Sequence, residues 1–309
     1  MRDHFIEALT ELAERDSRIM LVTADLGFSV FDRFRKEQSG QFINAGVSEQ
    51  SMTMLATGMA MEGKIVFTYS IGNFPTLRCL EMIRNDAAYH DANVKVVCIG
   101  GGFSYGALGI SHHATEDLAI MRSLPNVTVV SPCGVWETIE ATRSLVEVNG
   151  TCYLRLDKSV GNDEPREGEE FVLGHMRRLR EGRDATIVVT GGILCEVQRA
   201  AEMLANTGIE VCILSCHTLK PFDTETLLRE CNNTPALITV EEHTIHGGLG
   251  GVVAETLLDH HAMPDRFLRV GLEAGFSSIV GSQEYLRSHY EMDAEAITER
   301  VRELLTQGE

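Results

Sequence analysis

The chain has 309 residues and a formal net charge of -18, from 45 acidic and 27 basic side chains. That length exceeds the roughly 100–200 residues of one domain, so two domains with separate cores are expected. The acidic balance excludes nonspecific binding to nucleic acid or to an anionic membrane, which takes basic stripes. No apolar stretch reaches the roughly 20 residues of a membrane span, and the start Met1-Arg-Asp-His-Phe-Ile-Glu is not a signal peptide. The eight cysteines lie scattered through apolar segments without a C-x-x-C pair, as reduced core residues of a cytoplasmic protein do.

Strand-length apolar runs at 19–23, 65–69, 94–99, 127–130 and 152–156 alternate with helix-period segments near 4–15, 49–62, 75–90, 115–123 and 134–148. Runs apolar on both faces, spaced by helices, predict a parallel sheet covered on both sides. Within this unit Asn44-Ala-Gly-Val-Ser-Glu-Gln50 sets a carboxylate at the start of a long, nearly uncharged helix. Ser48 is placed to cap that helix, and Glu49 falls in the first turn, where backbone N–H groups and the macrodipole favour negative charge. Taken alone, such a glutamate is either a helix-start device or an acid–base group.

The polar stretch from Asp157 to Arg180, with Gly161-Asn-Asp-Glu-Pro165 inside it, reads as an interdomain linker at 161–182. Beyond it, runs at 186–189, 211–214, 236–240 and 267–270 alternate with helices near 194–206, 223–230, 248–259 and 293–306, which predicts a second parallel-sheet domain. The expected plan is an α/β chain of two doubly wound domains in series, 1–160 and 183–309. His112-His113-x-x-Glu116 and His243-x-x-His246 lack the spacing of a zinc helix motif, so no metal is assigned to this chain's own side chains. His246-Gly-Gly-Leu-Gly-Gly251 lacks the G-x-G-x-x-G spacing and reads as a tight turn.

Downstream of Glu49 come Lys64-Ile-Val-Phe-Thr-Tyr-Ser-Ile-Gly-Asn-Phe74, Arg78-Cys-Leu-Glu-Met-Ile-Arg84, Asn93-Val-Lys-Val-Val97, Gly106-Ala-Leu-Gly-Ile-Ser-His-His113, Glu116-Asp-Leu-Ala-Ile-Met-Arg122 and Leu124-Pro-Asn-Val-Thr-Val129. In this order and spacing, with Gly46-Val-Ser-Glu-Gln50 ahead of them, they resemble the pyrimidine-binding domain of transketolases and deoxyxylulose-phosphate synthases. Gly182-Arg-Asp-Ala-Thr-Ile-Val-Val-Thr190 and Val240-Glu-Glu-His-Thr-Ile-His-Gly-Gly-Leu-Gly250 resemble the family's C-terminal domain, so the likeness covers nearly the whole chain.

The resemblance implies thiamine diphosphate as cofactor, with Glu49 at the position of the buried glutamate that contacts the aminopyrimidine ring nitrogen. An apolar surrounding from Met52, Met54, Leu55 and Met59 would help it share a proton with that ring. Phe74 matches the family's aromatic wall for the pyrimidine; Ile71 stands where a second Phe is common, and Tyr69 is expected to contribute. His112 falls on the histidine of the Gly-x-Thr-His-Gln pattern, here Gly109-Ile-Ser-His-His113, with a catalytic and substrate-binding role. Ser29, in Ala24-Asp-Leu-Gly-Phe-Ser29, His113, and Lys158, where a phosphate-binding Arg is usual, complete the implied substrate contacts, with Arg155 three residues before Lys158.

Two departures bear on the donor. Leu108 replaces an Asp that grips a donor hydroxyl, and Gly100 replaces a second histidine. The family's diphosphate motif Gly-Asp-Gly, which holds Mg2+, occurs nowhere in the chain. The resemblance therefore implies the C-terminal subunit of a split transketolase, completed by a separate N-terminal subunit in an α2β2 assembly and self-associating through both domains. It would move a two-carbon ketol unit from a ketose, expected to be modified, to an aldose. A beta subunit of a 2-oxoacid dehydrogenase, with a 2-oxo acid donor, and a non-catalytic protein of the same fold are the competing readings. The Ser111-to-Arg122 stretch favours transketolase over the first, and Glu49 weighs against the second.

Overall fold

The computed structural model describes residues 1–27, 29–273 and 275–306. Phe28 of the Ala24–Ser29 motif and the last three residues of the 183–309 unit lie outside the described residues. The strands are β1 (Ile19–Thr23), β2 (Phe42–Asn44), β3 (Ile65–Ile71), β4 (Val94–Ile99), β5 (Val127–Val130), β6 (Thr151–Leu156), β7 (Arg177–Arg180), β8 (Ala185–Thr190), β9 (Val211–Ser215), β10 (Thr218–Lys220), β11 (Ala236–Thr244) and β12 (Arg266–Leu272), the apolar runs supplying all but β2, β7 and β10. They make two sheets, ordered β10-β5-β6-β4-β3-β1-β2 and β12-β11-β8-β9-β7.

Alternate residues of the first sheet's strands feed two cores, because successive side chains of a strand point to opposite faces. Ile19, Leu21, Phe67, Val97 and Leu154 pack with Phe5 and Leu9 of helix Arg2–Arg15 and with Ala141 and Leu145 of helix Val135–Glu147. Met20, Val22, Val66 and Val96 face the other way, toward Met52 and Ala56 of helix Glu49–Met61 and Ile83. Burying both faces is what removes the polar alternation from these strands.

Both sheets are parallel except at one edge each, where β10 runs antiparallel to β5 and β7 antiparallel to β9. β7 lies inside the stretch 161–182 expected to be linker, and β10, from the second half of the chain, joins the first sheet. Both are short and carry basic or polar residues, so no apolar run marks them. The helix expected near 75–90 is broken into a 3-10 turn Leu77–Cys79, a turn Leu80–Met82 and a π-helical turn Ile83–Ala88. Among the described residues no helix is long and apolar enough to cross a membrane.

Candidate active site

The loops after β1, β3, β4 and β6 leave the first sheet at its carboxyl edge, where open parallel sheets hold their ligands. The loops after β3 and β4 approach each other closely: a Cβ on Gly72 would lie 3.1 Å from the His112 carbonyl oxygen. This brings a row of side chains together. Glu49 opens helix Glu49–Met61 and is only 3% exposed. Arg78 Nη1 donates to Glu49 Oε2 at 2.7 Å, and its guanidinium lies 4.6 Å from the centre of the Phe74 ring. Phe74 meets the His112 imidazole edge-on at 5.1 Å, and His112 stands 6.4 Å from Tyr105. Lys158 Nζ sits 3.7 Å from the Tyr105 ring centre.

At the Lys158 end of this row opens a cavity of about 280 Å³, lined by Arg2, His4, Ile99, Tyr105, Asp157 and Lys158 among others. Burial, with Arg2 adding repulsion, pulls the Lys158 ammonium below its ordinary pKa. Burial, with His113 beside it, likewise lowers His112, which favours a neutral imidazole able to donate at one nitrogen and accept at the other. Tyr105 stands in the space opened by Gly100. That glycine has φ +96°, and a Cβ on it would lie 2.2 Å from the tyrosine ring.

Several expected residues are placed otherwise. Ser48 sits at the N-cap but makes no side-chain cap bond; its Oγ donates to Ser51 Oγ at 2.8 Å. Met52 is buried, whereas Met54 and Leu55 are exposed, since the helix turns them away from the face that carries Glu49. Tyr69 belongs to the core rather than to a cofactor wall: it is buried, edge-on to Phe31 at 4.9 Å and stacked with Phe5 at 6.2 Å. Ile71, at the half-buried end of β3, and Phe74 remain at the carboxyl edge. His113 is fully buried, with Nδ1 2.6 Å from Ser277 Oγ and Nε2 3.0 Å from the Gly106 carbonyl, so it holds the loop and is closed to substrate. Arg155 is locked between Asp117 and Asp157 and is likewise unavailable. Ser29 is exposed in the turn after β1, with φ +64°. Arg78, Tyr105 and Arg2 went unassigned in the sequence; the only sign of Tyr105 was the glycine at 100.

Residues 1–162 match the model of the transketolase pyrimidine-binding domain, and residues 174–297 that of the transketolase C-terminal domain. The chain is 34% identical to one subunit of the apulose-4-phosphate transketolase of Phocaeicola vulgatus, over 98% of this chain and 97% of that one. It is 36% identical to the 6-deoxy-6-sulfo-D-fructose transketolase subunit SqwH of a Clostridium species, over 98% and 94%. A solved structure described as a split gene transketolase, inactive beta4 tetramer, superposes with a TM-score of 0.87 at 32% identity, covering 100% of this chain and 98% of that chain.

Proposed function

The chain belongs to the transketolase family and corresponds to the beta subunit of its split members, and on that premise we propose that Glu49, Phe74 and His112 form one wall of a thiamine diphosphate site completed by a second subunit. The family depends on this cofactor, which when bound supplies the nucleophilic carbon and electron sink for breaking a carbon–carbon bond beside a carbonyl. The observation that carries the reading is the Glu49 carboxylate. It is buried, Arg78 fixes one oxygen, and among the described residues no side chain or amide hydrogen-bonds the other. That oxygen is the group to hold a proton at a pyrimidine ring nitrogen, with Phe74 as apolar neighbour.

His112 hydrogen-bonds donor oxygens, and Arg2 and Lys158 receive a sugar phosphate in the adjoining cavity, with Ser29 a further phosphate contact. The reaction is two-carbon ketol transfer from a ketose to an aldose. Leu108, 57% exposed on the 3-10 turn Gly106–Leu108, presents an apolar surface in place of a carboxylate. Together with Gly100 this supports a modified ketose as donor, in keeping with relatives named for apulose 4-phosphate and 6-deoxy-6-sulfo-D-fructose. The separate N-terminal subunit supplies the Gly-Asp-Gly motif, Mg2+ and the diphosphate ligands, in an α2β2 enzyme of the cytoplasm.

Glu49→Gln in the reconstituted enzyme tests the assignment, because the amide keeps the volume but cannot trade a proton with the ring. Activity is expected to fall roughly 10²–10⁴-fold with the fold intact by circular dichroism. Retention of more than half the activity overturns it.

A further inference from the structure

The segment 103–113, which carries Tyr105, Leu108 and His112, is held from behind by the second domain at two points. At its start, Glu242 of β11 reaches across from a fully buried position. Its Oε1 accepts the Phe103 backbone N–H at 2.5 Å and the Gln283 side-chain amide at 2.9 Å, while Oε2 receives Arg287 Nε. Gly102 is needed for this approach: it has φ +56°, and a Cβ there would lie 2.4 Å from Glu242 Oε1. At its end, the His113 imidazole bridges Ser277 and the Gly106 carbonyl. A carbonyl only accepts, so Nε2 carries the proton and Nδ1 accepts from the Ser277 hydroxyl. Leu286 and the Gly281 carbonyl fill the space beside Gly106, each within 3 Å of where a Cβ there would stand. Neither Glu242 nor Ser277 lines the cavity beside Lys158.

We propose that Glu242 and Ser277 are positioning residues for the donor: the C-terminal domain sets the spacing of Tyr105, Leu108 and His112 against Phe74 without touching substrate. This rests on the reading of the 103–113 segment as the donor wall. The Ser277 hydroxyl acts through His113 and the Glu242 carboxylate through the Phe103 amide, so loosening either point lets the segment move while leaving Glu49 and Arg78, on other loops, in place.

Ser277→Ala removes one hydroxyl and keeps the rest of the packing. In the reconstituted enzyme it should raise the donor KM about five- to tenfold, the scale of one lost hydrogen bond, with kcat and the acceptor KM within twofold of wild type. In the isolated chain, amide exchange across 103–113 should quicken while exchange in β3 and β4 stays unchanged. Glu242→Gln should act in the same direction; because it breaks a buried ion pair and can compromise folding, Ser277→Ala is the deciding variant. His112→Ala is the control. If it raises the donor KM and Ser277→Ala leaves both the donor KM and the exchange unchanged, the positioning role is wrong. A Ser277→Ala effect spread equally over kcat and both KM values also overturns it, as a merely structural loss. If His112→Ala itself leaves the donor KM unchanged, the donor-wall reading falls and this proposal with it.

Discussion

Lys158 and Arg2 bring two positive charges to a cavity that also holds Asp157 and Asp3, the latter paired with Arg2 at 2.9 Å, and burial with Arg2 lowers the Lys158 pKa. Lys158→Met should therefore raise the KM for a phosphorylated aldose at least about tenfold, the scale of a lost charge-assisted bond, and leave an uncharged aldehyde acceptor within twofold. An equal effect on both acceptors would remove Lys158 from phosphate recognition. Leu108→Asp restores a hydroxyl-gripping carboxylate to the donor loop. Its kcat/KM ratio should shift toward xylulose 5-phosphate and away from a modified ketose, and a wild-type preference for xylulose 5-phosphate by tenfold or more would contradict the loop's reading. That Glu49, Phe74 and His112 follow successive parallel strands was legible in the alternation of apolar runs, whereas their proposed roles came only from the family resemblance. Tyr69 and His113 were misjudged because residue type and spacing do not show which way a side chain points: Tyr69 turns into the core behind β3, and His113 turns toward Ser277.

At the scale of elements, the long apolar strands were plain and the short ones were not. β7 and β10 owe their place to pairing with β9 and β5, a partnership that leaves no periodic mark in three or four residues. The break after Phe74 is the consequential departure from expectation, since the 3-10 turn Leu77–Cys79 carries the Arg78 that pairs with Glu49. Where β9 gives way to β10, His217 is buried with its Nδ1 2.8 Å from Thr218 Oγ1 and its ring 4.3 Å from Phe171. Burial, with Arg177 adding repulsion, pushes its pKa down to about 3. The native state refuses the proton that the unfolded chain takes up below about 6.5, so the neutral ring's contribution is complete above that pH and is lost as pH falls toward 3. His217→Phe should flatten the dependence of unfolding free energy on pH between 6 and 4 by up to about 1.4 kcal/mol per pH unit. Parallel slopes for wild type and variant in urea titrations would show that other groups carry the acid sensitivity.

On the scale of the molecule, the two sheets share a core: Met52, Val66 and Val96 of the first domain belong to the same cluster as Leu214, Leu237 and Leu249 of the second. The two domains thus pack against each other through one continuous core. Val47 and Leu77, apolar and exposed, are near neighbours in sequence of Glu49 and Arg78. On the proposed reading the chain supplies Glu49 and Phe74 to a cofactor site but not the Gly-Asp-Gly motif, and a solved relative is described as an inactive beta4 tetramer. The most direct test is to titrate a purified Gly-Asp-Gly subunit into this chain with thiamine diphosphate and magnesium, reading cofactor binding by calorimetry and two-carbon transfer by product formation. The account predicts neither micromolar binding nor turnover from this chain alone, and both rising together to saturation at equimolar partner; micromolar binding or turnover by the lone chain would contradict it.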